Sequence, residues 1–134
     1  MISALSNLPE GLPALVHATR VSEQAAAVGF DWVCIEDIRA KITEELAELD
    51  SALAAANGTP SSAVIEEFGD LLVALVNLSR RLQFDAEGAL QAGSSKFERR
   101  FRYMETLAQA RGRALNSLSA AEWDELWCEA KRTL

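Results

Sequence analysis

Four acidic residues stand in two equally spaced pairs, Glu45 with Glu48 and Glu67 with Asp70, three residues apart in each case. On a helix that spacing puts both carboxylates of a pair on one face, where together they can grip an ion. Carboxylate oxygens select hard cations such as Mg²⁺, with Mn²⁺ as a substitute, and such ions are normally shared with substrate phosphates. Four carboxylates brought together repel one another unless some are protonated or a cation neutralises them. The same spacing also describes a solvated acidic helix face, so the metal reading and the surface reading both stand on the residues alone. A di-iron carboxylate bundle draws a Glu-x-x-His motif from two helices. The one histidine, His17, lies near neither acidic pair and is assigned no role.

A second group is basic. Lys96-Phe97-Glu98-Arg99-Arg100-Phe101-Arg102-Tyr103 concentrates four positive charges in an otherwise acidic chain. At helical spacing Lys96, Arg100 and Tyr103 share a face, and Phe97 and Phe101 are expected to point into the core. That face could clamp phosphates, because guanidinium forks match phosphate oxygens and lysine supplies a point charge. It could equally be an ion-paired surface with Glu98 and Glu105. Lys41 sits one turn before Glu45 and adds charge beside the acidic pairs. Trp127 or Trp32 could stack on a base, although tryptophan is more commonly buried.

These groups need helices to position them, and the chain supplies the patterns. Residues 1–12 form an irregular lead-in, with Pro9 inside it, Pro13 just after it and little periodicity. A first helix is expected over about 13–28, with Pro13 in its first turn and Gly29 ending it in the left-handed conformation. Ile35, Ile38, Ile42, Leu46, Leu49 and Leu53 recur at three- and four-residue steps, predicting an amphipathic helix over about 35–56. With the stripe centred on Ile42, Glu45 and Glu48 fall roughly 60° and 120° to one side, flanking the core. Asn57-Gly58-Thr59-Pro60-Ser61 reads as a tight turn. A third helix over about 62–82 contains the apolar run Leu71 to Val76, wider than one stripe requires and so expected to be buried on more than one side. Arg80 and Arg81 complement its dipole.

A fourth helix starts at Asp85 as N-cap, and Gly93-Ser94-Ser95 weakens it locally and could kink it. Ser119 and Glu122 make a capping box for a last helix over about 120–132. The fold class is therefore all-α, a bundle of four to five helices in a single domain over 13–134, expected to dimerise through the bundle.

Composition narrows the function. A net charge of −7 argues against non-specific attraction to nucleic acid. Cys34 and Cys128 match no metal spacing and no disulfide framework, and both are expected in the core of a protein from a reducing compartment. No basic flank precedes an apolar run at the N-terminus, and no segment reaches the roughly 18 apolar residues that span a bilayer. A cytoplasmic protein with no membrane partner is expected.

Taken together, Gly29-Phe30-Asp31-Trp32, Lys41-x-x-Glu44-Glu45-x-x-Glu48, Glu66-Glu67-x-x-Asp70-Leu71-Leu72 and Lys96-Phe97-Glu98-Arg99-Arg100-Phe101 resemble the MazG family of nucleoside triphosphate pyrophosphohydrolases, over about residues 13–134. The resemblance implies that Glu45, Glu48, Glu67 and Asp70 form the catalytic Mg²⁺ site. It also implies that Lys41, Lys96, Arg100 and Trp127 contact the nucleotide, with Glu44 and Glu66 matching the family's additional acids on the substrate side. The implied reaction converts a nucleoside triphosphate to monophosphate and pyrophosphate, attacking between the α and β phosphorus atoms, in a homodimer or dimer of dimers. Ser94 and Gln83 depart from the asparagine and glycine usual in the family. Many relatives carry two such domains in tandem, and this sequence holds one. A narrower pyrophosphohydrolase acting on dUTP or phosphoribosyl-ATP, and a non-catalytic helical dimerisation module, are the alternatives.

Overall fold

Helix-favouring composition and strong local capping yield five α-helices and no strand. The computed structural model describes residues 1–134, with α1 at Ala14–Ala27, α2 at Ile35–Ala55, α3 at Ser62–Arg81, α4 at Ala86–Ala110 and α5 at Ala120–Thr133. A short 3₁₀ turn, Leu115–Ser117, which the sequence did not signal, precedes α5. The all-α expectation holds, and the helix bounds expected for α1, α2, α3 and α5, with the start of α4, match the observed ones to within a residue or two.

The ends are set by side chains and turns that can be named. The Ser61 hydroxyl accepts from the Val64 N–H at 3.2 Å and starts α3, and the Asp85 carboxylate accepts from the Glu87 N–H at 3.2 Å at the start of α4. Ser119 accepts from the Glu122 N–H at 3.2 Å. The Glu122 carboxylate pairs with Arg113 at 2.9 Å, so a cross-link between segments takes the place of the expected reciprocal half of the capping box. At the end of α1 Gly29 adopts φ +98°, and Phe30 and Gly29 donate back to the Ala25 and Ala26 carbonyls at 3.0 Å each. This paired return closes the helix and satisfies two orphan carbonyls. Gln83 performs the same turn after α3 at φ +62°, a conformation in which a side chain costs more than glycine would.

The chain divides into two compact units, Met1–Glu87 and Gly88–Leu134. In the first, α2 and α3 form a helical hairpin and α1 packs on α3. Its buried side chains are Ile38, Glu45, Leu49, Ala74, Val76 and Ser79. The loop after α1 is pinned to the end of α3. The Arg80 side chain, 12% exposed, donates from Nη2 to the Asp31 carboxylate at 2.5 Å and from Nε to the Ser22 hydroxyl at 2.6 Å. Arg81 donates to the Trp32 carbonyl. In the second unit Met104, Ala108, Leu126 and Ala130 form the core, with Tyr103, Leu107, Trp123 and Trp127 packed against it.

Burial corrects one expectation and bounds another. α3 is packed by both α1 and α2, in line with its wide apolar surface, while Leu72 and Leu75 on its remaining side stay 40% and 43% exposed. Cys34 and Cys128 are free and only half-buried, Cys34 because it lies at the N-cap of α2, where the chain enters from a loop. α4 runs unbroken through Gly93-Ser94-Ser95. No helix is long and apolar enough to cross a membrane.

Candidate metal centre and cationic face

On α2 the buried stripe is Ile38, Glu45 and Leu49, and Ile42 is only half-buried. At 100° per residue Glu45 lies within roughly 20° of Ile38, so a carboxylate occupies a core position of the helix. Glu45 is 4% exposed, and the expectation that it merely flanks the core is corrected. Carboxylate oxygens of Glu45, Glu67 and Asp70 lie within 4.8 Å of one another, bringing three of the four expected acids into one group. Glu67 is half-buried and Asp70 exposed, so the group opens from core to solvent.

Its hydrogen bonding is incomplete. Lys41 Nζ donates to Glu45 Oε1 at 2.7 Å, whereas Glu45 Oε2 and Glu67 Oε2 are buried with no partner. Buried carboxylate oxygens without partners are costly, and the cost is removed by a cation that takes both as ligands. The donor set is all oxygen and open on one side, which suits a hard divalent ion that keeps water.

The electrostatics are divided. The hydrogen bond from Lys41 holds the Glu45 carboxyl below the usual range, against its desolvation. Reciprocally, Glu45 raises Lys41. Glu48, on the exposed side of α2, is pushed up to about 7 by its hydrogen bond to Glu67, then by the charge of Glu45 and by desolvation. The crowding of acidic groups on this face favours the protonated form of Glu48. Glu48 thus belongs to the cluster through Glu67, outside the three-residue group. Glu44 is exposed and 3.4 Å from Lys41 Nζ, and Glu66 is exposed; the structure brings neither into the group.

The second unit carries the cationic residues. The Arg100 guanidinium lies 5.6 Å from the centroid of the Trp127 ring, with its Nε buried and without an acceptor. Stacking of this kind holds the fork in place at small entropic cost and leaves its edges free for an anion. Phe97 packs 5.5 Å from Trp127 and 6.4 Å from Phe101, and Phe101 stacks on Trp123 at 6.0 Å. Phe97 is nevertheless 58% exposed and not in the core, because only α5 is available to cover α4 in this unit. Tyr103 turns against the core and away from the shared face expected with Lys96. Lys96 is exposed, and the ion pair formed in this segment is Arg102 with Glu98 at 2.6 Å.

The Asp31–Arg80 latch was missed in the sequence. Its members are 49 residues apart, and only the turn residues around Asp31 hinted at a defined loop.

Similarity to known proteins follows the same elements. A family model described as the MazG nucleotide pyrophosphohydrolase domain matches residues 35–104, just over half of the chain. The nucleoside triphosphate pyrophosphohydrolase of Escherichia coli strain K12 is 40% identical over 131 residues, covering 97% of this chain and 49% of that protein. The Thermotoga maritima protein named nucleoside triphosphate pyrophosphohydrolase/pyrophosphatase MazG is 44% identical over 120 residues, covering 90% of this chain and 45% of its own. YabN of Bacillus subtilis strain 168, an uncharacterized protein, is 46% identical over 67 residues, or 50% of this chain. The chain spans about half the length of the E. coli and T. maritima relatives. With α2, α3 and their carboxylate group inside the matched span, the chain belongs to the MazG nucleotide pyrophosphohydrolase family.

Proposed function

We propose that this chain hydrolyses nucleoside triphosphates to the monophosphate and pyrophosphate, with water attacking between the α and β phosphorus atoms and Mg²⁺ as the cofactor, replaceable by Mn²⁺. The observation that carries this reading is the pair of buried, unpartnered oxygens, Glu45 Oε2 and Glu67 Oε2, in a three-carboxylate group on a matched family domain. Bound Mg²⁺ supplies Lewis acidity toward the phosphate oxygens and the attacking water. Glu45, Glu67 and Asp70 hold the cation, and Glu48 joins them in its ionised form. Lys41 keeps Glu45 ionised. Lys96 and Arg100 neutralise phosphate charge, and Trp127 holds Arg100 in place for that task. Glu44 and Glu66 border the substrate.

Residues 13–134 act as one pyrophosphohydrolase domain, in the cytoplasm, with no nucleic acid or membrane partner. The chain forms a homodimer or dimer of dimers through the uncovered side of α3. Ile65, Phe68, Leu72 and Leu75 recur there at three- and four-residue steps and are 66%, 53%, 40% and 43% exposed. A soluble helix that leaves such a stripe open is suited to pairing with its own copy.

The test is pyrophosphate release from a triphosphate panel, with and without Mg²⁺, in the wild type and in Glu48→Gln and Asp70→Asn. Loss in both variants with the helical fold retained is expected. Full activity in either sinks the assignment. Turnover confined to dUTP or phosphoribosyl-ATP selects the narrower enzyme, and absence of turnover on every substrate selects the non-catalytic module.

A further inference from the structure

The two helices that carry the carboxylates, α2 and α3, are fixed at their four ends by different means. At the turn between them Asn57 and Gly58 adopt φ +52° and +76° and donate back to the Ala54 and Leu53 carbonyls at 3.4 Å and 3.5 Å, which closes α2. The Ser61 cap starts α3, and the return at Gln83 ends it. The fourth end, the start of α2, has no cap of its own: Cys34 stands at the N-cap position and makes no side-chain cap hydrogen bond. That end is held by the loop before it, which Arg80 and Arg81 tie to α3.

Arg80 commits all three of its nitrogens to this latch. Nη1 and Nη2 donate to the two Asp31 oxygens at 3.2 Å and 2.5 Å, Nε donates to Ser22 Oγ of α1 at 2.6 Å, and Nη2 also reaches Asn77 Oδ1 of α3 at 3.3 Å. Ser22 Oγ in turn donates to Asn77 Oδ1 at 2.6 Å, and the Asn77 amide donates to the Val73 carbonyl at 3.1 Å. Arg81 donates to the Trp32 carbonyl, and Asp31 Oδ1 accepts from the Trp32 N–H at 2.8 Å. A two-pronged guanidinium–carboxylate pair with the guanidinium 12% exposed fixes direction as well as distance.

The carboxylates lie midway between the latch and the turn. Glu45 is ten residues beyond Ile35 and Asp70 ten before Arg80, about 15 Å along each helix at about 1.5 Å per residue, and Ala55 ends α2 ten residues after Glu45. Oxygens of Glu45, Glu67 and Asp70 lie within 4.8 Å of one another, and like charges at that separation push α2 and α3 apart. Ile38 and Val76, 0% and 2% exposed, are packed between the latch and the carboxylates, so a displacement at the latch is transmitted along the hairpin. A slip of α2 by the rise of one residue, about 1.5 Å, exceeds several-fold the tolerance of about 0.2 Å on metal–ligand distances.

We infer that the Arg80–Asp31 latch is a positioning device for the cation site, setting the register of α2 against α3 at which Glu45, Glu67 and Asp70 meet. It gives Asp31, within Gly29-Phe30-Asp31-Trp32, a role that the hydrolase mechanism leaves open, and it rests on the cation site proposed above. Arg80 and Asp31 act through the helices they hold.

Mn²⁺ affinity separates this role from a general contribution to stability. It is read from the paramagnetic resonance of the free ion, without nucleotide and well below the melting transition, in wild type, Asp31→Asn, Arg80→Lys and the double variant. Asp31→Asn removes the charge and one acceptor oxygen, whereas Arg80→Lys keeps the charge and loses the fork. Each is expected to weaken Mn²⁺ binding about tenfold, the scale on which partners behind metal ligands act, with the helical signal of the wild type retained. The double variant is expected to bind no more weakly than the weaker single one, because the two side chains act as one unit. If one single variant fails to fold, the other decides. A lowered melting temperature with wild-type Mn²⁺ affinity overturns the proposal and leaves the latch a structural tie only. So do losses that add in full in the double variant. Wild-type protein that binds no Mn²⁺ defeats the cation reading itself, and amide exchange along α2 then decides the latch alone. Faster exchange from Lys41 to Leu49 in the variants supports it, and a change confined to residues 28–34 overturns it.

Discussion

Filling of the carboxylate group should release a proton, and the size of that effect follows from Glu48. Its carboxyl titrates at about 7 because the hydrogen bond to Glu67 and the charge of Glu45 both favour the protonated form. A cation drawn to the unpartnered Glu67 Oε2 reverses the field at Glu48, so binding expels the proton. At pH 6 about nine in ten Glu48 carboxyls carry it, and at pH 8 about one in ten. The apparent dissociation constant for Mg²⁺ or Mn²⁺ should accordingly weaken about tenfold from pH 8 to pH 6, and flatten above pH 8. Titration calorimetry in two buffers of different ionisation enthalpy reads the same event, with close to one proton released per site at pH 6 and about a tenth of one at pH 8. Glu48→Gln should abolish both the slope and the release. The linkage has a definite sign in the metal-free protein. A carboxyl raised from its ordinary 4.5 to about 7 stabilises the fold fully below 4.5, and this contribution is lost as pH rises through 7. Thermal stabilisation by the cation should therefore grow between pH 6 and pH 8. Equal affinities at both pH values, or an unchanged slope in Glu48→Gln, would refute the reasoning.

Three further outcomes are expected. Leu126→Ala empties a site that is 2% exposed, so it should cost about 2–5 kcal/mol in urea unfolding, and a loss under about 1 kcal/mol would contradict the packing of the second unit. Phe68→Glu puts charge on the open side of α3, so if that side is the proposed dimer contact the variant should sediment as a monomer without lowering the helical signal; a mass equal to the wild-type dimer would exclude it. Arg100→Lys keeps the charge but loses the planar fork over Trp127, so KM for a triphosphate should rise about tenfold while Mg²⁺ affinity stays unchanged. A change in Mg²⁺ affinity instead would show that Arg100 acts through the carboxylates.

The helices were legible because their signals are local. Ser61, Asp85, Ser119 and Gly29 set ends through bonds to neighbours a few residues away, and three- and four-residue apolar steps need no knowledge of the partner. The acidic pairs were legible for the same reason, yet spacing could not tell which helix face would be covered. The run of aliphatics centres α2 on Ile42, but packing against α3 selects the line through Ile38 and Leu49 and takes Glu45 inside with it. Phe97 failed similarly: it lies on the apolar line of α4, and the second unit has only α5 to cover that line. The Arg80–Asp31 latch was out of reach, since nothing in the sequence near either residue indicates a partner 49 positions away.

One stretch of α4 carries a consequence for motion. Every residue from Ala89 to Lys96 is exposed, and the segment includes Gly93, Ser94 and Ser95, poor helix formers with no packed face before Phe97 meets Trp127. Amide hydrogens there are retained by backbone bonds alone, so exchange should be fast through this segment and slow steeply on reaching Met104 and Ala108. Lys96 stands at the end of that segment, so an anion that engages this lysine should be felt as slowed exchange along the stretch before it.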